Sequence, residues 1–142
     1  GGYLKDFGKN ISICIEVLKE ANALISAVPW TNPEFLLRKE NKSLLIMALR
    51  GEGIYKNATP PDLKGKLSGV DLTEADLTGV NLAWANLARA SVERANLKEA
   101  DLARADLFRA NLTRANLSTA TFDGNTKWPV GFDPLKAGCI RR

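Results

Sequence analysis

Four acidic side chains are the first candidates for chemistry in this chain: Asp76, Glu99, Asp101 and Asp106. Two carboxylates held close together can act as acid and base, or as acid and nucleophile, in hydrolysis. The chain contains no histidine, so the most common general base, metal ligand and partner of a nucleophilic serine is missing. No P-loop or dinucleotide-binding glycine motif occurs. All four acids fall in regular polar positions of a repeat, so we expect a protein without catalytic activity, cofactor or metal.

The chain also contains two cysteines, Cys14 and Cys139. Two cysteines are too few for a zinc site or a disulfide scaffold. Two interpretations stay open. Both thiols are reduced, or one long-range disulfide ties the N-terminal helix to the tail and stabilises the fold by about 4–5 kcal/mol. In the second case, stability would respond to oxidation.

A five-residue repeat between Gly65 and Gly124 determines where most side chains must lie. The large apolar positions are Leu67, Leu72, Leu77, Leu82, Leu87, Val92, Leu97, Leu102, Leu107, Leu112, Leu117 and Phe122. Two places before each comes a small residue: Gly65, Val70, Ala75, Val80, Ala85, Ala90, Ala95, Ala100, Ala105, Ala110, Ala115 and Ala120. This period fits neither a helix nor a strand. It predicts a solenoid, in which each unit buries its apolar pair by stacking on its neighbours.

In this region the chain resembles the pentapeptide-repeat family. The resemblance rests on runs of a small residue, Asn or Asp, Leu and two variable residues, which begin at Ala75, Ala85, Ala95, Ala105 and Ala115. It implies a mainly β fold: a right-handed quadrilateral β-helix with one pentapeptide per side and three coils. The segment from Asn125 to Pro134 resembles closing segments of cyanobacterial members, which indicates a cyanobacterial-type protein.

This fold would stack residues n and n+20 about 4.8 Å apart. The large and small apolar residues would face inward. Asn, Asp and Thr suit the corners, because their short side chains bond to nearby backbone.

The outward positions then carry the candidate protein-interaction surface: Trp84, Arg89, Arg94, Arg104, Phe108, Arg109 and Arg114. Trp84 would lie beneath Arg104 in a cation–π stack of about 0.5–1 kcal/mol, and Glu74 beside Arg94 in an ion pair. Two interpretations stay open: a solvated surface with Arg–acid pairs, or a docking surface. Arginine and exposed aromatic residues are typical interface anchors.

The chain divides into three predicted segments: a helical cap and connector (1–64), the repeat (65–124), and a closing segment with a basic tail (125–142). Residues 10–28 predict an amphipathic helix. A second helix is predicted from Pro33 to Arg50, with Asn32 as N-cap and Gly51 as terminator. A solenoid exposes its core at both ends. We therefore expect the helices to cover the first coil and four apolar residues to cover the last: Trp128, Val130, Phe132 and Leu135.

Charge and hydropathy restrict the partner. The net charge of +4 arises mainly from four residues of the tail, Lys127, Lys136, Arg141 and Arg142. We expect a monomer that binds a protein of unknown identity and does not insert into a membrane, because no apolar run approaches 18 residues. The mixed charge argues against a nucleic-acid partner, although weak binding through the arginines and tail stays open as an alternative. The resemblance suggests another alternative, a DNA mimic that modulates a topoisomerase such as gyrase.

We expect a cytoplasmic location. A lumenal or periplasmic location would follow if a targeting segment had been removed or if Cys14 and Cys139 were oxidised. The start at Gly1-Gly2 without Met favours a cleaved tag or an excised fragment.

Overall fold

A computed structural model describes residues 29–57 and 59–142. Within these ranges the helices are α1 (Pro33–Leu36) and α2 (Lys42–Arg50), and the strands are β1 (Thr121–Phe122) and β2 (Ile140–Arg141). Short 3-10 turns lie at Pro29–Thr31, Lys39–Asn41, Gly53–Tyr55 and Lys64–Lys66. The helix predicted over residues 10–28 lies outside the described residues.

The helix predicted from Pro33 to Arg50 is two helices rather than one. Asn32 caps α1 as predicted, because its side-chain oxygen accepts a hydrogen bond from the backbone N–H two residues on, at 2.9 Å. Arg38 adopts an extended conformation (φ −70°, ψ 143°) and interrupts the helical path. Asn41 closes the break by donating to a carbonyl of α1 at 2.7 Å. Gly51 ends α2 as predicted, with a left-handed φ of 67°.

One backbone unit recurs every five residues in the repeat. The carbonyl of each large residue from Leu67 to Leu117 accepts a hydrogen bond from the small residue three positions on, as between Leu72 and Ala75 at 3.0 Å. The third residue of the turn has positive φ, which is typical of a type II turn. The φ values run from 58° to 71° at Gly69, Glu74, Gly79, Trp84, Arg89, Arg94, Glu99, Arg104, Arg109, Arg114 and Thr119.

Residues 20 positions apart lie side by side, in agreement with the predicted stacking. Single parallel bridges with this spacing run from Asp71↔Ser91 to Asp101↔Thr121. At each bridge the hydrogen bonds go both ways: Leu72 N donates to the Ser91 carbonyl at 2.7 Å, and Ser91 N donates to the Val70 carbonyl at 2.9 Å. One pass of the chain therefore takes four pentapeptides.

The corners are fixed by Asn and Asp side chains, as predicted. Asp71 Oδ1 accepts from the backbone N–H of Thr73 at 2.9 Å. The same bond forms at Asp76, Asn81, Asn86, Asn96, Asp101, Asp106, Asn111 and Asn116. Ser91 differs, since its hydroxyl lies 3.0 Å from the Thr73 hydroxyl of the pass below. These bonds hold the turn conformation locally.

The large residues form the interior, with one correction. Most have no exposed surface: Leu67, Leu72, Leu77, Leu82, Leu87, Val92, Leu97, Leu102 and Leu107 are all 0% exposed. Leu112 is only half-buried, because a cleft of about 360 Å³ separates it from the closing segment. Two outer members of the small column, Val70 and Ala115, are likewise half-buried, and Gly65 is exposed.

Helix α2 lies against the first pass of the repeat. The Arg50 guanidinium donates to the Asp76 carbonyl at 3.0 Å and lies 3.2 Å from its carboxylate. Lys42 donates to the Thr73 carbonyl and lies 3.5 Å from the Asp71 carboxylate. These bonds join the helical segment to backbone groups that have no lower pass to pair with.

The closing segment covers only part of the last pass. Trp128 packs edge-on against Phe122, with ring centroids 5.6 Å apart, and stacks on Phe132 at 5.0 Å. Strand β2 pairs in parallel with β1. The prediction that Val130 and Leu135 also cover the core is wrong, because they are 95% and 63% exposed. Backbone turns that begin at the two nearby prolines direct them away from the core.

The loss of stability caused by shortening an interior leucine should depend on the position of that leucine in the stack. Leu97→Ala should lower the free energy of unfolding by about 2–5 kcal/mol, because it leaves a closed cavity. Leu112→Ala should cost less, about 1–2 kcal/mol, because its neighbours already border a cleft. Urea titrations of both variants would measure the difference, and equal losses would contradict the partial exposure of Leu112.

The corner at Asp76 should make stability depend on pH. The hydroxyl and backbone N–H of Thr78, with the nearby Arg50, hold the Asp76 pKa below its ordinary value. A lowered folded-state pKa gives stability that is present above about pH 4 and lost as pH falls through the folded-state value. Asp76→Asn keeps the corner bond but cannot titrate. Its melting temperature should therefore fall less than that of the unmodified protein between neutral and strongly acidic pH. Parallel melting curves for the two proteins across this range would refute the assignment.

Candidate protein-interaction surface

The outward arginines of the repeat all occupy the left-handed residue of their turn. The φ values are 58–60° at Arg89, Arg94, Arg104, Arg109 and Arg114. This conformation is unfavourable for residues other than glycine. Bonding between passes compensates for it, as where Arg94 N donates to the Thr113 carbonyl at 2.9 Å. The side chains are exposed and leave the backbone in a fixed direction.

The predicted stack of Arg104 on Trp84 is confirmed. The guanidinium carbon lies 4.5 Å from the ring centroid, and Trp84 is 65% exposed. Arg104 also lies 3.9 Å from the Asp123 carboxylate, which accepts the Arg104 backbone N–H at 3.1 Å. Partial burial opposes ionisation of Asp123, but hydrogen bonds from the backbone of Arg104 and Asn125 outweigh it and lower the pKa. The positive charge of Arg104 is therefore largely compensated by the Asp123 carboxylate within the protein.

The predicted ion pair between Glu74 and Arg94 is confirmed as well. Their charged atoms lie 3.8 Å apart, and both side chains are at least half exposed. Such a pair contributes about 0.2–1 kcal/mol at most. It nevertheless reduces the positive potential beside Arg94.

Phe108 and Arg109 form a contact that the sequence analysis did not predict. The Arg109 guanidinium carbon lies 5.2 Å from the Phe108 ring centroid, and Phe108 is 43% exposed. The two residues are adjacent in sequence. Arg109 adopts the left-handed conformation of its turn (φ 60°), and its guanidinium lies over the ring of the preceding residue. Within the described residues, no carboxylate pairs with Arg89, Arg109 or Arg114.

The seven predicted residues therefore occupy three successive sides of the repeat. Trp84 and Arg104 lie on one side, Arg89, Phe108 and Arg109 on the next, and Arg94 and Arg114 on the third. The backbone links the two passes directly, since Arg89 N donates to the Phe108 carbonyl at 2.8 Å. The surface has two exposed aromatic residues, and its middle side carries positive charge that no carboxylate of residues 29–57 and 59–142 pairs with.

Most of the carboxylates that were candidates for hydrolytic chemistry accept hydrogen bonds from backbone N–H groups. Asp76, Asp101 and Asp106 each accept the N–H that fixes their own turn, and Asp101 also lies 3.7 Å from the Arg142 guanidinium. No group of three or more metal-binding side chains occurs among residues 29–57 and 59–142. None of the helices in that part of the chain has the length and apolar character needed to cross a bilayer.

Cys139 is a buried free thiol in the closing segment. Its sulfur donates to the Leu117 carbonyl at 3.6 Å, and burial raises its pKa to about 11. Cys14 lies outside the described residues. A disulfide between the two stays a prediction.

Comparison with known proteins identifies the class. A family model for pentapeptide repeats matches 8 copies over residues 65–92 and 85–124. The solved structure of alr5209, a pentapeptide repeat protein from Nostoc Pcc 7120, is 35% identical over 56% of this chain and 79% of that chain, with a TM-score of 0.38. The comparison with curated proteins found no match. The chain belongs to the pentapeptide-repeat family. The family implies a right-handed quadrilateral β-helix, and its members are generally non-catalytic scaffolds.

A double-mutant cycle should measure the Trp84–Arg104 contact. Trp84→Ala and Arg104→Ala should show a coupling of about 0.5–1 kcal/mol in the free energy of unfolding. A cycle of Trp84→Ala with Arg94→Ala is the control, since Arg94 pairs with Glu74 instead. Zero coupling in the first cycle, or equal coupling in both, would rule out a specific stack.

Proposed function

We propose that this protein is a non-catalytic scaffold that binds a partner protein through one lateral surface, with Phe108 and Arg109 at its centre. The observation that carries the proposal is an exposed aromatic ring beneath a guanidinium that has no paired carboxylate in the described residues. Aromatic residues and arginine dominate binding energy at protein interfaces. A partner ring or aliphatic side chain would cover Phe108, and a carboxylate would pair with Arg109.

The backbone supports this role because it holds the surface rigid. Phe108 N donates to Asp106 Oδ1 at 2.9 Å, and the Phe108 carbonyl accepts from the pass below. A surface fixed in this way loses little conformational entropy on binding. The remaining outward residues, Trp84, Arg89, Arg94, Arg104 and Arg114, would extend the contact to the neighbouring sides.

The proposal includes the architecture that presents the surface. Residues 65–124 form three coils, residues 1–64 a helical cap with its connector, and residues 125–142 the closing segment. The contacts of α2 with Asp76 and Thr73 support the cap. The acting unit is a monomer, so that the surface stays open for a different protein.

A protein partner explains the charges better than the alternatives do. A DNA mimic needs an acidic surface, whereas residues 63–124 carry eight basic and eight acidic residues. Direct nucleic-acid binding needs a continuous basic stripe, and Glu74 and Asp123 interrupt it by pairing with Arg94 and Arg104.

Photo-crosslinking tests this surface directly. A benzophenone amino acid at position 108 should capture a partner from a lysate of the source organism, whereas the same group at position 98 should not. Position 98 lies ten residues earlier and therefore two sides away.

The captured protein should then bind the purified chain. Arg109→Glu should weaken that binding about 30-fold, as expected for the loss of an interface anchor. Lys98→Glu is the charge-matched control and should have little effect. Equal crosslinking at positions 98 and 108, or binding that resists Arg109→Glu, would disprove the proposed surface.

A further inference from the structure

In the part of the chain that the structure describes, the last pass of the repeat has an unpaired backbone edge between Arg109 and Leu117. Within the described residues, no hydrogen bond uses the N–H groups of Arg109, Leu112, Arg114 and Leu117 or the carbonyls of Ala110 and Ala115. One pass below, the corresponding groups are all bonded. Val92 N donates to the Asn111 carbonyl and Arg94 N to the Thr113 carbonyl, each at 2.9 Å, and the Ala90 carbonyl accepts from Asn111 N at 2.9 Å.

The closing segment pairs on both sides of this edge but not with it. Lys127 pairs with Asp106 before it, and Ile140 N donates to the Ala120 carbonyl after it. Between these points the chain turns away at Pro129 and Pro134, and proline has no N–H to donate. A cleft of about 360 Å³ remains, lined by residues 110–113 on one wall and 129–132 on the other.

The hydrogen bonds between the lower passes show which backbone groups a strand paired with this edge would need to supply. A parallel strand in the cleft would donate one N–H to the Ala110 carbonyl. Its carbonyls would accept the N–H groups of Leu112 and Arg114, as the carbonyls of Asn111 and Thr113 do one pass lower. A stretch of three extended residues is enough for these bonds. An extended peptide that adds to an open edge gains affinity from such main-chain bonds.

The positive charge of residues 103–142 favours an acidic peptide at this edge. Residues 1–102 contain equal numbers of basic and acidic residues, whereas residues 103–142 contain seven basic and three acidic ones. The basic residues are Arg104, Arg109, Arg114, Lys127, Lys136, Arg141 and Arg142, and the acidic ones are Asp106, Asp123 and Asp133. The whole net charge therefore lies within residues 103–142, the part of the chain that contains the open edge. The half-buried Leu112 and the 95% exposed Val130 supply apolar contacts in the same cleft.

A second copy of the chain fits this edge poorly. Two such ends facing each other would bring equal positive charges together. The opposite end of the repeat is occupied by α2, through Arg50 on the Asp76 carbonyl and Lys42 on the Thr73 carbonyl. Like charge and an occupied opposite end both favour a different protein as the partner.

We propose that the backbone edge from Ala110 to Arg114 binds an acidic, extended peptide segment of a partner protein as an added parallel strand. This site does not depend on the lateral surface proposed above. Its binding energy comes mainly from main-chain groups. The Arg114 side chain belongs to both sites, and Arg104 and Arg109 add to the positive charge of both.

Amide exchange with a defined probe tests the proposal. The probe is an acetylated, amidated hexapeptide of alternating Val and Glu. By NMR, the Leu112 and Arg114 amides should exchange quickly in the free protein and at least about tenfold more slowly with saturating peptide, since a new hydrogen bond protects them. The Val92 and Arg94 amides are internal controls, because they are bonded in either state.

Two control peptides separate backbone pairing from charge. The same hexapeptide with every backbone nitrogen methylated keeps its charge but has no backbone donor left for the Ala110 carbonyl, and it should bind about tenfold more weakly. A Val–Lys hexapeptide should not bind. Arg114→Glu should weaken binding of the acidic peptide more than Arg94→Glu does. Glutamate is compatible with the left-handed position, as Glu74 and Glu99 show.

Four results would overturn the proposal: Leu112 and Arg114 amides already protected in the free protein, no added protection with the peptide, equal affinity for the N-methylated peptide, or equal effects of Arg94→Glu and Arg114→Glu. None of them bears on the photo-crosslinking result at position 108. Failure of this site and failure of the lateral surface are therefore distinguishable.

Discussion

Hydrogen bonding between backbone groups 20 residues apart is the interaction on which the rest of this structure depends. It supplies partners for the N–H and carbonyl groups at each corner, although almost no regular strand is present in the described residues. It also holds a residue with positive φ in every turn, including bulky ones such as Trp84 and Arg104. Without the bonds to neighbouring passes, most of these residues would favour other conformations. The interior column of leucines is a consequence, because the same geometry points every large side chain inward.

This constraint separates structural from functional residues in the repeat. Most pentapeptides use their small residue, their Asn or Asp and their large residue for folding, and Lys66, Ser91 and Thr121 stand in the Asn or Asp position of the others. Only the remaining two positions are free to vary, and they point outward. The acids that first suggested hydrolytic chemistry belong mostly to the structural positions, where their oxygens accept turn N–H groups. The arginines and aromatic residues belong to the free positions, so the surface is where this family member can differ from others.

The hydrogen bonding at the two ends of the stack differs from that in its middle. At the first pass, Lys42 and Arg50 contact carbonyls that have no lower partner. At the last pass, the spacing of the bridges changes from 20 to 21 residues between Asp106 and Lys127. Thr126 stabilises this shift, since its buried hydroxyl donates to the Leu102 carbonyl at 2.9 Å and accepts from Asp123 N at 3.1 Å. Beyond this point the closing segment leaves the ladder and returns at Gly138, whose carbonyl accepts from Thr119 N at 2.9 Å. Part of the last edge therefore stays unpaired among the described residues.

The amino-acid sequence determined the repeat, its inward and outward positions, the corner bonds, the caps at Asn32 and Gly51, and the contacts of Arg104 with Trp84 and Arg94 with Glu74. All of these depend on local turn preferences or on a strict period, and both can be read along the chain. The tertiary structure alone decided the break at Arg38, the partial exposure of Leu112, the outward positions of Val130 and Leu135, and the pairing of Phe108 with Arg109. The physical reason is that burial at the end of a stack depends on the path of the segment that covers it. That path is set by packing and hydrogen bonds between residues distant in sequence, which a local pattern does not contain.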